Sequence, residues 1–391
     1  MENFTFYSPT YFVFGKDSEN QVGHYVKRFK GSKVLLHYGS KSAEKTGLLG
    51  RVEKTLEKEN IDYVKLGGVR PNPTDDLVYK GIDICRKENI DFILAVGGGS
   101  VIDSAKAIAA GAVYDGDFWE FYEGKPIDKA LPVGTVLTIS AAGSEGSPDS
   151  VITKLDGMYK RGASGEGIRP VFSILNPALT MTLSNYQTAC GITDIMAHLY
   201  ERYLTNTKNV ETTDRMIEAL LLAMKSEGPK AIADQNDYES RANIMWAGMM
   251  AHNNSCGVGR SQDWTSHDLE HELSAIYDCA HGAGLAVVMP AVFTYNIEHD
   301  VMRLAKIAVR VWNCEMDYDC PLNTAKAGIE AFRSFLISIG MPKNFAELGA
   351  KEADIDKLAH GACFGNGRDG TIGGYVQINE QDAKNIYRLM L

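Results

Sequence analysis

The run Asp91-Phe92-Ile93-Leu94-Ala95-Val96 stops at three consecutive glycines, Gly97-Gly98-Gly99, and passes at once into Ser100-Val101-Ile102-Asp103 and a small-residue stretch reaching Ala110. A near-continuous apolar run of this length is what a strand buried on both faces requires, and the glycines mark its turn into a helix. The same alternation precedes it: Val34–Tyr38 predicts a short buried strand, Leu48–Leu56 a helix, Asp62–Leu66 a second strand and Asp75–Cys85 a second helix. Further strands are expected at Val133–Ile139, Val151–Thr153 and Val171–Leu175. Such alternation builds parallel βαβ units, so the first half is expected to be a Rossmann-like α/β domain, an open parallel sheet covered on both faces.

The texture changes near Asn176-Pro177. From about Asn185 apolar residues recur at helical spacing, as in Ile192, Ile195, Met196, Leu199 and Tyr203, then Met216-Ile217, Leu220-Leu221 and Met224, and later Phe332, Phe335 and Leu336. The expectation is an α/β domain over 1–183 and an all-α domain over 184–391, packed closely around a cleft. A chain of 391 residues fits two domains, because one core rarely grows past roughly 250–300 residues. Forty Lys+Arg against 50 Asp+Glu give a net charge of −10, which argues against a nucleic-acid or anionic-membrane surface. No apolar stretch approaches the roughly 18 residues of a membrane span, and Met1-Glu2-Asn3-Phe4 has no secretory pattern. The seven cysteines are scattered and include no CxxC pair, which fits free thiols in a reducing cytoplasm.

A phosphate needs close backbone approach, so glycine at a strand-to-helix turn suits it, and exposed N–H groups with the positive helix end supply the attraction. The segment Gly97–Asp103 matches neither GxGxxG nor the Walker pattern, and the alternative is a tight turn with no ligand. The C-terminal ends of strands in open α/β sheets are where ligands bind, which favours phosphate. The first strand ends at Gly39-Ser40-Lys41-Ser42, and no carboxylate follows until Glu44. NAD-specific sites place a carboxylate near such a strand end, so this loop would accept a 2′-phosphate and points to NADP(H) over NAD(H); a merely polar loop is the alternative.

Asp194 and His198 stand i,i+4 on a periodic helix at the edge of its apolar stripe, where a polar pair needs a partner: a metal ion, or simply each other. His267 and His271 repeat that spacing, and His281 follows 14 residues after His267, about 21 Å along an unbroken helix. Convergence therefore needs a chain reversal, for which Tyr277-Asp278-Cys279 is the plausible place. One carboxylate and three imidazoles make a hard-to-borderline set that suits Fe(II), Zn, Mn or Co and lacks the thiolates of a structural zinc site.

Gly97-Gly98-Gly99-Ser100-x-x-Asp103-x-x-Lys106, Pro71-Asn72-Pro73 and Gly143-Ser144-Glu145, with Asp194-x-x-x-His198, His267-x-x-x-His271 and His281-Gly-x-Gly284, resemble the iron-containing (group III) alcohol dehydrogenases in order and spacing over almost the whole chain. The glycine loop alone is not specific; the set is. The resemblance is to the butanol dehydrogenase and broad-specificity aldehyde reductase branch. It implies the dehydroquinate synthase-like architecture with a dinucleotide-binding domain over 1–183 and a helical metal-binding domain over 184–391, a homodimer, and hydride transfer between NADPH and small aliphatic aldehydes such as butanal, with primary alcohols in reverse. It implies further that Asp194, His198, His267 and His281 hold one divalent metal, Fe(II) or Zn(II), and that His271 is catalytic, near nicotinamide and substrate rather than on the metal. Gly39, Ser40, Asn72, Gly98, Gly99, Ser100, Asp103, Thr138, Ser147 and Lys160 fall at the family's cofactor-contact positions, and small residues at Gly39 and Ser40 are similar to the NADP-using members.

Two positions depart from the family pattern. Ala142 replaces a common hydroxyl residue, and Asn176-Pro177 replaces Asp-Pro. Rival readings on the same architecture are a glycerol or diol dehydrogenase and a dehydroquinate-synthase-like lyase. The lyase would need a basic cluster, yet Ala251–Asp268 holds only Arg260. A non-catalytic nucleotide sensor would have no reason to keep four converging ligands.

Overall fold

The computed structural model describes residues 1–39, 42–141 and 143–391; Ser40, Lys41 and Ala142, singled out above, lie outside the described residues. The chain divides into two compact units, Tyr7–Thr182, and Leu183–Leu391 joined by Met1–Phe6. The first six residues hold to the helical unit through the Glu2 N–H, which donates to the Gly259 carbonyl at 2.9 Å, and the N-terminal amine, which donates to the Lys208 carbonyl at 2.8 Å.

The first unit runs β1 (Tyr11–Phe14), α1 (Val22–Arg28), β2 (Lys33–Gly39), α2 (Ser42–Lys45), α3 (Leu48–Lys58), β3 (Asp62–Val69), α4 (Asp75–Glu88), β4 (Phe92–Gly97) and α5 (Gly99–Ala112), then β5 (Val133–Leu137), β6 (Asp149–Lys154), β7 (Tyr159–Ser164) and β8 (Phe172–Leu175). Six strands form one sheet in the order β1-β8-β5-β4-β2-β3, and every pairing in it is parallel. Phe92, Ile93, Leu94, Ala95 and Val96 of β4 are fully buried, as a strand flanked on both sides and covered on both faces must be. The strand expected at Val151–Thr153 is the middle of β6, which pairs antiparallel with β7 in a separate hairpin. Because the sheet is parallel, Gly39, Gly97 and Leu137 end their strands on the same edge, where ligands bind in such sheets.

The second unit holds α6 (Asn185–Tyr203), α7 (Glu211–Ala233), α8 (Tyr238–His252), α9 (Thr265–Tyr277), α10 (His281–Tyr295), α11 (Val301–Arg310), α12 (Pro321–Ser338), α13 (Phe345–Leu348), α14 (Ile355–Phe364) and α15 (Glu380–Arg388). Among the described residues its only strands form a ribbon of two-residue strands, β9 (Thr371–Ile372) against β10 (Ile378–Asn379). A capping box starts α6: Ser184 Oγ accepts the Gln187 N–H and Gln187 Oε1 accepts the Ser184 N–H. From Gly191 to Tyr203 this helix is buried on every side, and α10 is buried from Gly282 to Phe293. Polar side chains on such helices must find partners inside the protein. No described helix is long and apolar enough to cross a membrane.

Candidate active site

In the first unit the β4–α5 turn places Gly98 in extended backbone at the α5 N-cap. A Cβ built on Gly99 would meet nothing within 4 Å, so the space beyond that helix terminus is open. Gly39 closes β2, Ser100 lies in the first turn of α5, and the Thr138 N–H donates to the Gly97 carbonyl at 3.0 Å. These residues share the strand-end edge. Asn72 adopts left-handed backbone (φ 53°) and its Oδ1 accepts from Lys160 Nζ at 3.2 Å.

Asp103 and Ser147 belong to a neighbouring network organised by a residue whose role the spacing left unread. Lys106 is fully buried, and its Nζ donates to the carbonyls of Ser144 (2.7 Å), Ser147 (2.9 Å) and Asp149 (2.7 Å), with Ser144 Oγ at 2.9 Å. Asp103 accepts the Ser144 hydroxyl at 2.6 Å and the Val151 N–H at 3.1 Å. Burial lowers the Lys106 ammonium to about 8, although Asp103, Asp149 and Glu145 pull the other way. The loop from Ser144 to Asp149 is thus held from beneath by one cation.

In the second unit α6 carries Asp194, His198 and Glu201, and α9 carries His267, Glu270 and His271. The reversal expected at Tyr277-Asp278-Cys279 is present: Asp278 caps α9 in left-handed backbone (φ 49°), and α10 opens at His281. Gly282 and Gly284 permit that entry. A Cβ on Gly282 would lie 2.1 Å from the Cys190 carbonyl oxygen of α6, and one on Gly284 would lie 2.7 Å from the Glu270 side chain.

These helices bring Asp194, His198, His267 and His281 together. Asp194 Oδ1 lies 3.4 Å from His198 Nε2 and 3.7 Å from Nε2 of both His267 and His281. Asp194, His267 and His281 each offer a ligand atom within 4.8 Å of one another, and Glu270, His271 and His281 form a second such group. The His271 ring centre stands 6.2 Å from that of His267 and 5.6 Å from that of His281. His281 is the most open of the four, 26% exposed against 9% or less for the others.

The arrangement fits a metal ion. Asp194 Oδ1 and His267 Nε2 are buried and make no hydrogen bond to any described residue, an expensive condition unless something else satisfies them. A tetrahedral ion with bonds of about 2.1 Å separates its ligand atoms by about 3.4 Å, close to the spacings here. Charge is unevenly distributed in the protein alone. Burial and the neighbouring His252, His267 and Arg202 lower the His198 imidazole, keeping it neutral. Burial also works against a charged His267, but Glu201 and Asp194 outweigh it and raise that group to about 10.

Several neighbours escaped the sequence reading. Glu201 Oε2 meets His267 Nδ1, Glu270 Oε2 meets His281 Nδ1, and Arg202 Nη1 lies 3.3 Å from His198 Nδ1. His252 packs edge-on against His198, and Trp264 lies edge-on to both His198 and His267. Helical spacing sets Glu201 seven residues after Asp194 and Glu270 three after His267, on the same helix faces, but does not say which imidazole of another helix each carboxylate meets.

Comparison with known proteins gives this geometry a family. The model for "Iron-containing alcohol dehydrogenase" matches residues 9–177 and that for the C-terminal part of the Fe-containing alcohol dehydrogenase family matches residues 188–391. NADH-dependent butanol dehydrogenase A of Clostridium acetobutylicum is 37% identical over 390 residues, covering 99% of each chain. The NADPH-dependent aldehyde reductase YqhD of Escherichia coli is 36% identical over 366 residues, covering 92% of each. The crystal structure of NADH-dependent butanol dehydrogenase A from Thermotoga maritima superposes with a TM-score of 0.95 at 36% identity, covering 100% of this chain and 99% of that one. The chain belongs to the iron-containing alcohol dehydrogenase family.

Proposed function

We propose that this member of the family is a metal-dependent, NADPH-preferring reductase of short aliphatic aldehydes such as butanal, running in reverse on primary alcohols. The observation that carries the reading is the convergence of Asp194, His198, His267 and His281, with a buried carboxylate oxygen and a buried imidazole nitrogen left without hydrogen bonds. These four would hold one divalent ion, Fe(II) or Zn(II), between which an N/O ligand set discriminates weakly. Bound there, the ion supplies Lewis-acid polarisation of a carbonyl oxygen, and a bound nicotinamide supplies the hydride.

The chain's own residues bind and orient. Gly98, Gly99 and Ser100 offer the α5 N-terminus and open space to a pyrophosphate, and Lys106 with Asp103 holds the loop that carries Ser147. Gly39-Ser40-Lys41-Ser42 presents no carboxylate against a 2′-phosphate, which supports NADPH; relatives are named for either nicotinamide. We place the enzyme in the cytoplasm as a homodimer, with edge strand β1 and its exposed Tyr11 and Phe14 as the candidate seam. Anaerobic purification with elemental analysis, followed by an aldehyde panel against both cofactors, tests the reading. One metal per chain and a lower KM for NADPH than for NADH are expected with butanal; a strong NADH preference would remove the 2′-phosphate argument.

His271 is assigned to proton delivery at the substrate oxygen. His271→Ala should therefore retain the ion while kcat falls by about 10²-fold and its pH profile changes. Loss of the metal from this variant would instead place His271 among the ligands, as its proximity to Glu270 and His281 would allow.

A further inference from the structure

We propose that Glu201 and Glu270 are positioning residues for the ion, each fixing from one helix the imidazole that the next helix contributes; this rests on the assignment of Asp194, His198, His267 and His281 to one metal. Glu201 reaches from α6 to Nδ1 of His267 on α9, and Glu270 reaches from α9 to Nδ1 of His281 on α10. Both carboxylate side chains are 0% exposed. A carboxylate withdrawn from water that far is costly unless paired, and each is paired to the back of a candidate ligand.

The chemistry of the pair fixes the geometry. An ionised carboxylate only accepts, so the Nδ1 facing it carries the proton, and Nε2 is the nitrogen turned to Asp194 Oδ1, 3.7 Å away in both cases. Three helices are thereby joined in series, α6 to α9 to α10, by the contacts that aim their imidazoles. His198 is supported differently. Arg202 Nη1 donates to its backbone carbonyl at 3.0 Å and lies 3.3 Å from its Nδ1, so it is held through the main chain of its own helix.

Glu201 has a second task, because its Oε1 accepts the N–H groups of Ser266 (2.7 Å) and His267 (3.1 Å) in the first turn of α9. Glu270 is the cleaner probe: its Oε1 accepts the Ser274 hydroxyl, and Gly284 leaves room for its carboxylate.

The test uses full-length protein stripped by a chelator and titrated with Co(II), then with competing Zn(II). Wild type should take up one Co(II) per chain. Glu270→Gln should bind the same single ion about 10–100-fold more weakly, with an altered d–d spectrum and an unchanged Tm of the ion-free protein. Wild-type affinity and spectrum in Glu270→Gln would overturn the positioning role and leave the four-ligand assignment standing. A wild-type chain that binds no Co(II) would overturn both. Should the variant fail to fold, ¹⁵N-histidine spectra of the Zn(II)-loaded wild type decide the matter. Protonated Nδ1 on His267 and His281 is expected, and protonated Nε2 on either would sink the inference.

Discussion

His267→Ala is expected to leave the protein folded, without its ion, and reduced in kcat/KM by on the order of 10³-fold. That figure is what removal of the main stabiliser of a developing oxyanion typically costs. The choice of His267 follows from the site. Its Nε2 is buried and without a hydrogen bond, and Glu201 and Asp194 concentrate negative charge on it from two sides. Metal content by elemental analysis and butanal-dependent NADPH oxidation are the paired measurements. A variant that kept one metal per chain would show that the remaining three side chains suffice, and the ligand set would have to be redrawn.

Lys106→Met is expected to act on the other unit and on stability. The substitution keeps the apolar stem but removes the ammonium that donates to the carbonyls of Ser144, Ser147 and Asp149. A buried acceptor left without a partner costs roughly 1–3 kcal/mol, part of which is offset because the ammonium no longer has to be desolvated. A net loss of about 3 kcal/mol would lower the Tm of a unit this size by roughly 6–12 °C. The KM for NADPH should rise more than about tenfold (roughly 1.4 kcal/mol of binding) as the Ser144–Asp149 loop slackens, whereas metal content should not change. Calorimetry and steady-state kinetics check both halves, and an unaltered KM would detach this loop from cofactor binding.

The fold was legible where a residue pattern had only one physical solution. The all-apolar Phe92–Val96 followed by three glycines can hardly be anything but a central strand turning into a helix, and the structure has β4 and α5 there. The turn after Tyr277 was legible for a different reason: His267 and His281 could converge only if the helix broke. Strand β1 was not, because Tyr11–Phe14 is half-exposed at the sheet edge and carries no buried run. The burial of Glu201, Glu270 and Lys106 was not legible, for one shared cause. In a chain with 50 acidic and 40 basic residues, a charged side chain on a helix is normally solvated, and only the packing of α6, α9 and α10, or of α5 beneath its loop, reveals that these three are not. The family pattern carried the four converging side chains, while the carboxylates behind them needed coordinates.

Gly282 and Gly284 set a limit on how this enzyme could be made hardier. Exchanging helical glycine for alanine is a standard route to thermal tolerance, worth up to about 1 kcal/mol. Here the added methyl would strike the Cys190 carbonyl or the Glu270 carboxylate, so the first turn of α10 has to keep its poor helix formers, and any gain in robustness must be sought elsewhere in the chain.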